Sequence, residues 1–243
     1  AEVSADHTQA AWDDAGAMAA FANACDVGTY EFEKVPVAPL RAIEAKIAPG
    51  LAALEVAQDR IAEKTFVSEL GGRPAPFAAV DSRADLDTAI AEIGTPGILK
   101  TRRDGYDGKG QWRVNSSEDA ASIDWPAETP LVYEGFVTFD AEFSVILVRG
   151  RDGEVRHWDS AQNTHTGGIL SLSELPPRPT VLAQIGPARA LAAKIAEKLD
   201  YIGVLTCEFF ATSEGPVFNE MAPRVHNSGH WTIEGATTSQ FEN

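Results

Sequence analysis

The chain has 243 residues, 44% of them hydrophobic and 23% charged, which suits a globular protein with one large or two small cores. No run of about 18 apolar residues suggests a membrane span, and a net charge of −16 opposes a duplex-binding face, which needs clustered cations. No charged-then-apolar signal segment opens the chain. Residue 1 is Ala rather than Met, which points to a trimmed N-terminus. Cys25 and Cys207 sit in apolar, strand-like surroundings without a CxxC spacing. They are expected as reduced thiols of a cytoplasmic protein.

In chain order, residues 12–24 fit a helix with acids in its first turn, and 25–30 a short buried strand. Residues 38–48 are amphipathic and stop at Pro49-Gly50, and a helix from Val56 to Leu70 ends at Gly71-Gly72. This alternation reads as the tail of an α/β layer whose sheet begins upstream. The middle is β-rich: strands are predicted at 97–101, 111–114, 131–137, 141–149 and 154–160, with a turn at 150–153. Prolines 176, 177 and 179 mark a loop, 181–199 an amphipathic helix, and 202–221 a hairpin. The expected fold class is therefore α/β and α+β, with an incomplete α/β piece over 1–73 and a larger α+β piece over 74–243.

The hairpin carries the strongest chemical signal. A three-residue Ser213-Glu214-Gly215 loop pairs Thr212 with Pro216, Phe210 with Phe218 and Glu208 with Glu220. Residues two apart share a strand face, so Glu208 and Glu220 stand side by side. Opposed carboxylates destabilise a sheet unless a cation relieves them, and Mg²⁺ would do so while reaching phosphates. The bland alternative is a solvated face with one acid protonated or paired. Asn219 points to the other face unless a bulge near the strand end brings it round.

Residues 97–111 deliver Lys100 on a strand, then Gly105, Gly108 and Gly110 around Lys109. Glycines let backbone N–H groups approach phosphate oxygens, and the two lysines add charge along a polyphosphate. The spacing is not that of a Walker A loop, and a mobile turn with solvated cations is the competing reading. Glu134-Gly135-Phe136-Val137 supplies an apolar linker suited to a flat purine, and Glu142 a carboxylate suited to ribose hydroxyls. Ordinary strand packing explains each of these as well.

The order Lys, glycine loop, Glu-Gly-Phe-Val, Glu, then paired Glu and Asn-Glu resembles the ATP-grasp superfamily. More narrowly, TRRDGYDGKGQ at 101–111, YEGFV at 133–137 and NEMAPRVHNSGHWTIEG at 219–235 resemble N5-carboxyaminoimidazole ribonucleotide synthases. TYEFEKVP at 29–36 and AQDRIAEKTF at 57–66 are similar to that family too. The resemblance implies an ATP-grasp fold over 74–243, with a small subdomain at 74–137 and a nucleotide and metal sheet at 138–243. Residues 1–73 would be an incomplete pre-ATP-grasp layer, and the family's C-terminal domain would be absent.

It also implies site residues. ATP would meet Arg60, Lys100, Gly105, Tyr106, Asp107, Gly108, Lys109, Gly110 and Gln111. The hinge would be Glu134, Gly135, Phe136 and Val137, with Glu142, His165, Asn219 and Glu220 completing the nucleotide site. Glu208 and Glu220 would hold Mg²⁺. Arg224, His226 and Asn227 would sit near bicarbonate and the aminoimidazole ribonucleotide, and Tyr106, Asp107 and Lys109 would belong to a closing loop. The implied reaction carboxylates aminoimidazole ribonucleotide through carboxyphosphate, in a homodimer, in purine synthesis. The alternatives are another ATP-grasp carboxylate–amine ligase, which the Arg-Val-His-Asn-Ser-Gly-His run opposes, and a non-catalytic nucleotide-binding fragment, which Lys100, Lys109, Glu208 and Glu220 oppose. Asp104 departs from the uncharged or aromatic residue expected before Gly-Tyr-Asp-Gly-Lys-Gly.

Overall fold

A computed structural model describes residues 4–105, 110–126 and 129–242. Helix α1 (Ala15–Ala24) begins at Asp14, whose carboxylate accepts from the Ala17 N–H. The predicted strand at 25–30 reduces to a single parallel bridge, Gly28 to Ile47. Among the described residues no further strand extends it into a ladder. The 38–48 stretch forms a short helix α2 (Val37–Leu40) running into a 3₁₀ segment, Arg41–Lys46. Tyr30, Val35, Leu40, Leu51 and Leu54 close a small core here.

The helix expected over 56–70 is two helices, α3 (Leu51–Ala57) and α4 (Arg60–Glu69). Asp59 breaks the run because its side chain accepts from the Ile61 and Ala62 N–H groups, starting α4 afresh.

A four-stranded antiparallel sheet follows, built from β1 (Phe77–Val80), β2 (Gly97–Thr101), β3 (Gln111–Val114) and β4 (Leu131–Gly135) in the order β1-β4-β2-β3. Strand β1 and helices α5 (Arg83–Ile93) and α6 (Ser117–Ser122) are not signalled by the sequence. Their alanine-rich, weakly periodic runs carry little pattern, although Ser82 and Ser116 cap the two helices through the Asp85 and Asp119 N–H groups. Leu86 and Ala89 of α5 pack on Leu99, Leu131 and Tyr133. Strand β4 stops at Gly135, two residues before the predicted end.

The larger sheet runs β10-β9-β5-β7-β8, with β6 also paired to β5. Its strands are β5 (Ala141–Arg149), β6 (Val155–His157), β7 (Gln162–Thr166), β8 (Ile169–Glu174), β9 (Gly203–Thr212) and β10 (Gly215–Ala222). Strands β7 and β8 lie in a stretch for which the sequence predicts no element; β7 reads Gln-Asn-Thr-His-Thr, with no hydrophobic alternation. The helix predicted at 181–199 is a short α7 (Pro179–Leu182) and then α8 (Ile185–Lys198). Ala188, Ala192 and Ile195 of α8 bury against Phe143, Val145 and Phe209. A last short helix, α9, spans Thr232–Gly235.

The small sheet depends on one close approach. Tyr133 is fully buried and its hydroxyl donates to the Gly94 carbonyl at 2.8 Å. A Cβ at Gly97 would overlap the Tyr133 ring. The expected result of Gly97→Ala is a loss of about 1–3 kcal/mol from overpacking, read as a lower midpoint in chemical denaturation. An unchanged midpoint would show that the ring moves aside freely.

Candidate nucleotide and metal site

The hairpin brings the two acids together by a route other than the expected one. Thr212 pairs with Gly215, so the turn has two residues, Ser213 and Glu214, rather than three. Phe210 accordingly faces Val217, and Phe218 faces Phe209. The register then slips between Phe218 and Glu220, and Glu208 pairs with Glu220 after all. The extra residue in β10 is Asn219. In a regular strand Phe218 and Glu220 would share a face. The bulge instead leaves Phe218 and Met221 in the core and turns Glu220 to the face of Glu208.

Glu208 is 8% exposed and its Oε1 has no hydrogen-bond partner. Burial pushes its carboxyl up to about 8, the Glu220 charge adds to the rise, and His165 opposes it. A cation would offset both the burial and the repulsion. Among the described residues no three His, Cys, Asp or Glu side chains gather into a protein-only metal cage. Two carboxylates completed by water and phosphate oxygens are the donor set that Mg²⁺ commonly takes, so the residues fit that ion.

His226 Nε2 stands 3.7 Å from Glu208 Oε1. The contact is not ionic: burial, and then the Arg224 charge, hold the imidazole down at about 3. Its Nδ1 accepts from the Ser228 N–H at 3.3 Å, which leaves the ring proton on Nε2, facing the acids. Arg224 Nε lies 2.6 Å from Glu33 Oε1, tying the site to the N-terminal piece. His165 Nδ1 is hydrogen-bonded to Glu142 Oε2, and that bond raises its pKa against the opposing effect of burial.

These groups line a cavity of about 420 Å³, with Arg60, Gly105, His165, Glu208, Glu220, Arg224, His226 and Asn227 in its wall. The other described residues of the predicted site are not in that wall. Lys100 Nζ is 3.0 Å from Glu134 Oε2, at the end of strand β4 that leads into Gly135, Phe136 and Val137. Arg113 covers the Phe136 ring at 4.6 Å. Gly110 accepts from the Thr101 N–H at 2.8 Å and opens β3 at Gln111. Tyr106, Asp107, Gly108 and Lys109 lie outside the described residues.

Five functional candidates were not legible as such. Glu63 lines the cavity, and Lys64 Nζ reaches Glu134 Oε2 at 3.3 Å. Burial pushes Glu134 up, but Lys64 and Lys100 together outweigh it and hold the carboxyl below its ordinary range. Asp59 binds Arg102 Nε at 2.8 Å and Arg103 Nε at 3.3 Å. Consecutive acid and base on a helix read as a solvated face, and the N-cap at Asp59 was the available signal.

Residues 65–241 match the ATP-grasp domain family, and residues 1–58 match the ribonucleotide synthetase preATP-grasp domain family. The chain belongs to the ATP-grasp family. This ATP-grasp chain is 47% identical to an N5-carboxyaminoimidazole ribonucleotide synthase of Brucella melitensis, over 96% of this chain and 66% of that protein. It resembles the crystal structure of the Thermus thermophilus N5-carboxyaminoimidazole ribonucleotide synthetase at 48% identity and TM-score 0.88, covering 96% of this chain and 64% of that one. The Aspergillus clavatus synthase in complex with ADP and 5-aminoimidazole ribonucleotide is 29% identical, with TM-score 0.89, covering 99% of this chain and 65% of that one. The ATP-grasp chain thus spans just under two thirds of the relatives it matches.

Asp59 gives a stability test. Burial raises its pKa, but the hydrogen bonds from Arg102 and the Ala62 N–H, with the charges of Arg102 and Arg103, outweigh that and leave it below 3.8. Its contribution is therefore present above the unfolded value and lost as pH falls through the lower folded one. Asp59→Ala is expected to cost about 1–3 kcal/mol at pH 7 from the lost cap and buried pair. That cost shrinks in acid, measured by urea melts at pH 7 and pH 3. Equal losses at both pH values would rule out an ionised Asp59.

Proposed function

We propose that this chain is the catalytic core of an ATP-dependent carboxylase of 5-aminoimidazole ribonucleotide, making N5-carboxyaminoimidazole ribonucleotide from bicarbonate. One observation carries the reading. Glu208 and Glu220 are paired across a bulge and face Arg224 and His226 across one cavity. Anion-binding and cation-binding groups thus converge where a phosphoryl group and a small carboxylate would meet. The likeness to named synthases supports the choice of substrates, as do the ADP and 5-aminoimidazole ribonucleotide of the Aspergillus clavatus complex. ATP and Mg²⁺ are the proposed cofactors, and a cytoplasmic homodimer acting in purine synthesis the proposed context, by the same resemblance. Residues 1–73 are assigned to the pre-ATP-grasp layer and 74–243 to the ATP-grasp domain.

In this reading a bicarbonate oxygen attacks the γ-phosphorus of ATP and the bond to ADP breaks, leaving carboxyphosphate. The 5-amino nitrogen of the ribonucleotide then attacks the carboxyl carbon, a proton leaves the nitrogen, and phosphate departs. Glu208 and Glu220 would hold Mg²⁺, which when bound screens charge on the phosphate oxygens. Lys100, fixed by Glu134, is assigned to the phosphates, with Arg60 and the glycines around it. The ring proton that His226 holds on Nε2 faces the acids, where it can donate to a carboxylate oxygen without changing charge. Arg224 supplies the fixed positive charge for bicarbonate, with Asn227 beside it. Glu142 and His165 are assigned to the ribose end, and Asn219 to the nucleotide wall. Tyr106, Asp107 and Lys109 keep the roles their sequence motif implies.

Phosphate release from Mg²⁺-ATP by this chain is expected to require both bicarbonate and aminoimidazole ribonucleotide. Glu208→Gln should lower that release about 100-fold. Release that ignores both co-substrates would point to a different ligase. No release, with Mg²⁺-nucleotide still bound, would mark a nucleotide-binding core that needs further chain to react.

A further inference from the structure

Strand β10 is an edge strand, yet its outer backbone groups near the bulge are not left to solvent. Two consecutive residues of α4 take them. Lys64 Nζ donates to the Asn219 carbonyl at 3.2 Å, and Glu63 Oε1 accepts from the Met221 N–H at 2.7 Å. The two bonds fall on either side of Glu220. A third bond, from the Phe218 N–H to the Arg73 carbonyl at 2.8 Å, fixes the strand just before the bulge.

Both side chains are buried, Glu63 to 3% and Lys64 to 2% exposure. Burying an acid and a base is costly unless each is fully used. Lys64 is used twice, because it also meets Glu134 at 3.3 Å, the residue that fixes Lys100. Lys64 is not in the cavity wall; Glu63 is, but its Oε1 is taken by the Met221 N–H. What they hold is the main chain that makes Glu220, rather than Asn219, face Glu208.

We propose that Glu63 and Lys64 are positioning residues that clamp the backbone on both sides of Glu220, and so set Mg²⁺-dependent nucleotide affinity from outside the cation's ligands. This rests on the metal assignment made above. Supporting groups behind metal ligands typically change affinity about 10–100-fold when removed.

The test is ADP binding to the intact chain by calorimetry, with Mg²⁺ and again with EDTA, for four variants. Glu63→Leu removes the acceptor and keeps the bulk, whereas Glu63→Gln keeps a carbonyl for the Met221 N–H. Lys64→Met covers the case in which Glu63→Leu does not fold, and Glu220→Gln controls for the metal assignment. The clamp predicts that Glu63→Leu and Lys64→Met lower Mg²⁺-ADP affinity about tenfold or more. Metal-free ADP affinity of Glu63→Leu should change less than about threefold, and Glu63→Gln should recover most of the loss; Lys64→Met, which also releases Glu134, is read by the ratio of its Mg²⁺ to its EDTA affinity. A general packing role would instead weaken both conditions alike, and that result would overturn the clamp. If Glu220→Gln abolishes the Mg²⁺ effect while folded Glu63→Leu and Lys64→Met leave it intact, the clamp is wrong and the metal assignment stands. If Glu220→Gln leaves the Mg²⁺ effect intact, the metal assignment fails and the clamp falls with it.

Discussion

Glu134 is a carboxylate 4% exposed, at the end of the small sheet, between the ammonium groups of Lys64 and Lys100. Each partner belongs to a different part of the molecule. Lys64 comes from the linking helix α4, which also grips the edge of the large sheet, and Lys100 comes from the neighbouring strand of the small one. The carboxylate and the two ammonium groups tie α4 to two neighbouring strands of the small sheet. Removing Glu134 would leave two ammonium groups uncompensated in a poorly solvated place, a far larger penalty than losing a surface ion pair.

A chain of net charge −16 thereby concentrates cations in one place. Its cations are few, but Arg60, Lys64, Lys100, Arg102 and Arg103 all gather around the start of α4 and the end of β2. Asp59 and Glu134 act as buried anchors that orient this cluster rather than cancel it. The result is a local gathering of positive charge inside a protein of strongly negative net charge.

The fold was legible where a pattern was strong and silent where it was not. The β5 and β9 strands announced themselves through apolar runs, while β7, reading Gln-Asn-Thr-His-Thr, has no hydrophobic alternation to detect. The opposed glutamates were found from spacing, yet the assumed turn was one residue too long and the bulge was not placed. The two departures offset each other because each adds one residue to the same side of the ladder. Local turn chemistry did not distinguish them. Glu63 and Lys64 were invisible for a different reason: nothing in a helix sequence says that an adjacent acid and base reach inward to another strand's backbone. Only tertiary contact reveals it.

The bulge at Asn219 also separates two inheritances within one hairpin. Beyond it, the tip from Phe209 to Phe218 follows the phase dictated by its own turn; before it, Glu208 and Glu220 pair one residue out of step with that phase. A one-residue lengthening of the turn, matched by loss of the bulge, would restore the same pairing of the acids, since Thr212 would then face Pro216 and the count to Glu220 would be unchanged. Insertions and deletions at the tip are therefore not neutral singly but can be neutral in pairs. Relatives of this chain can differ in turn length by one residue and still present the same two carboxylates, provided the irregularity in β10 appears or vanishes in step.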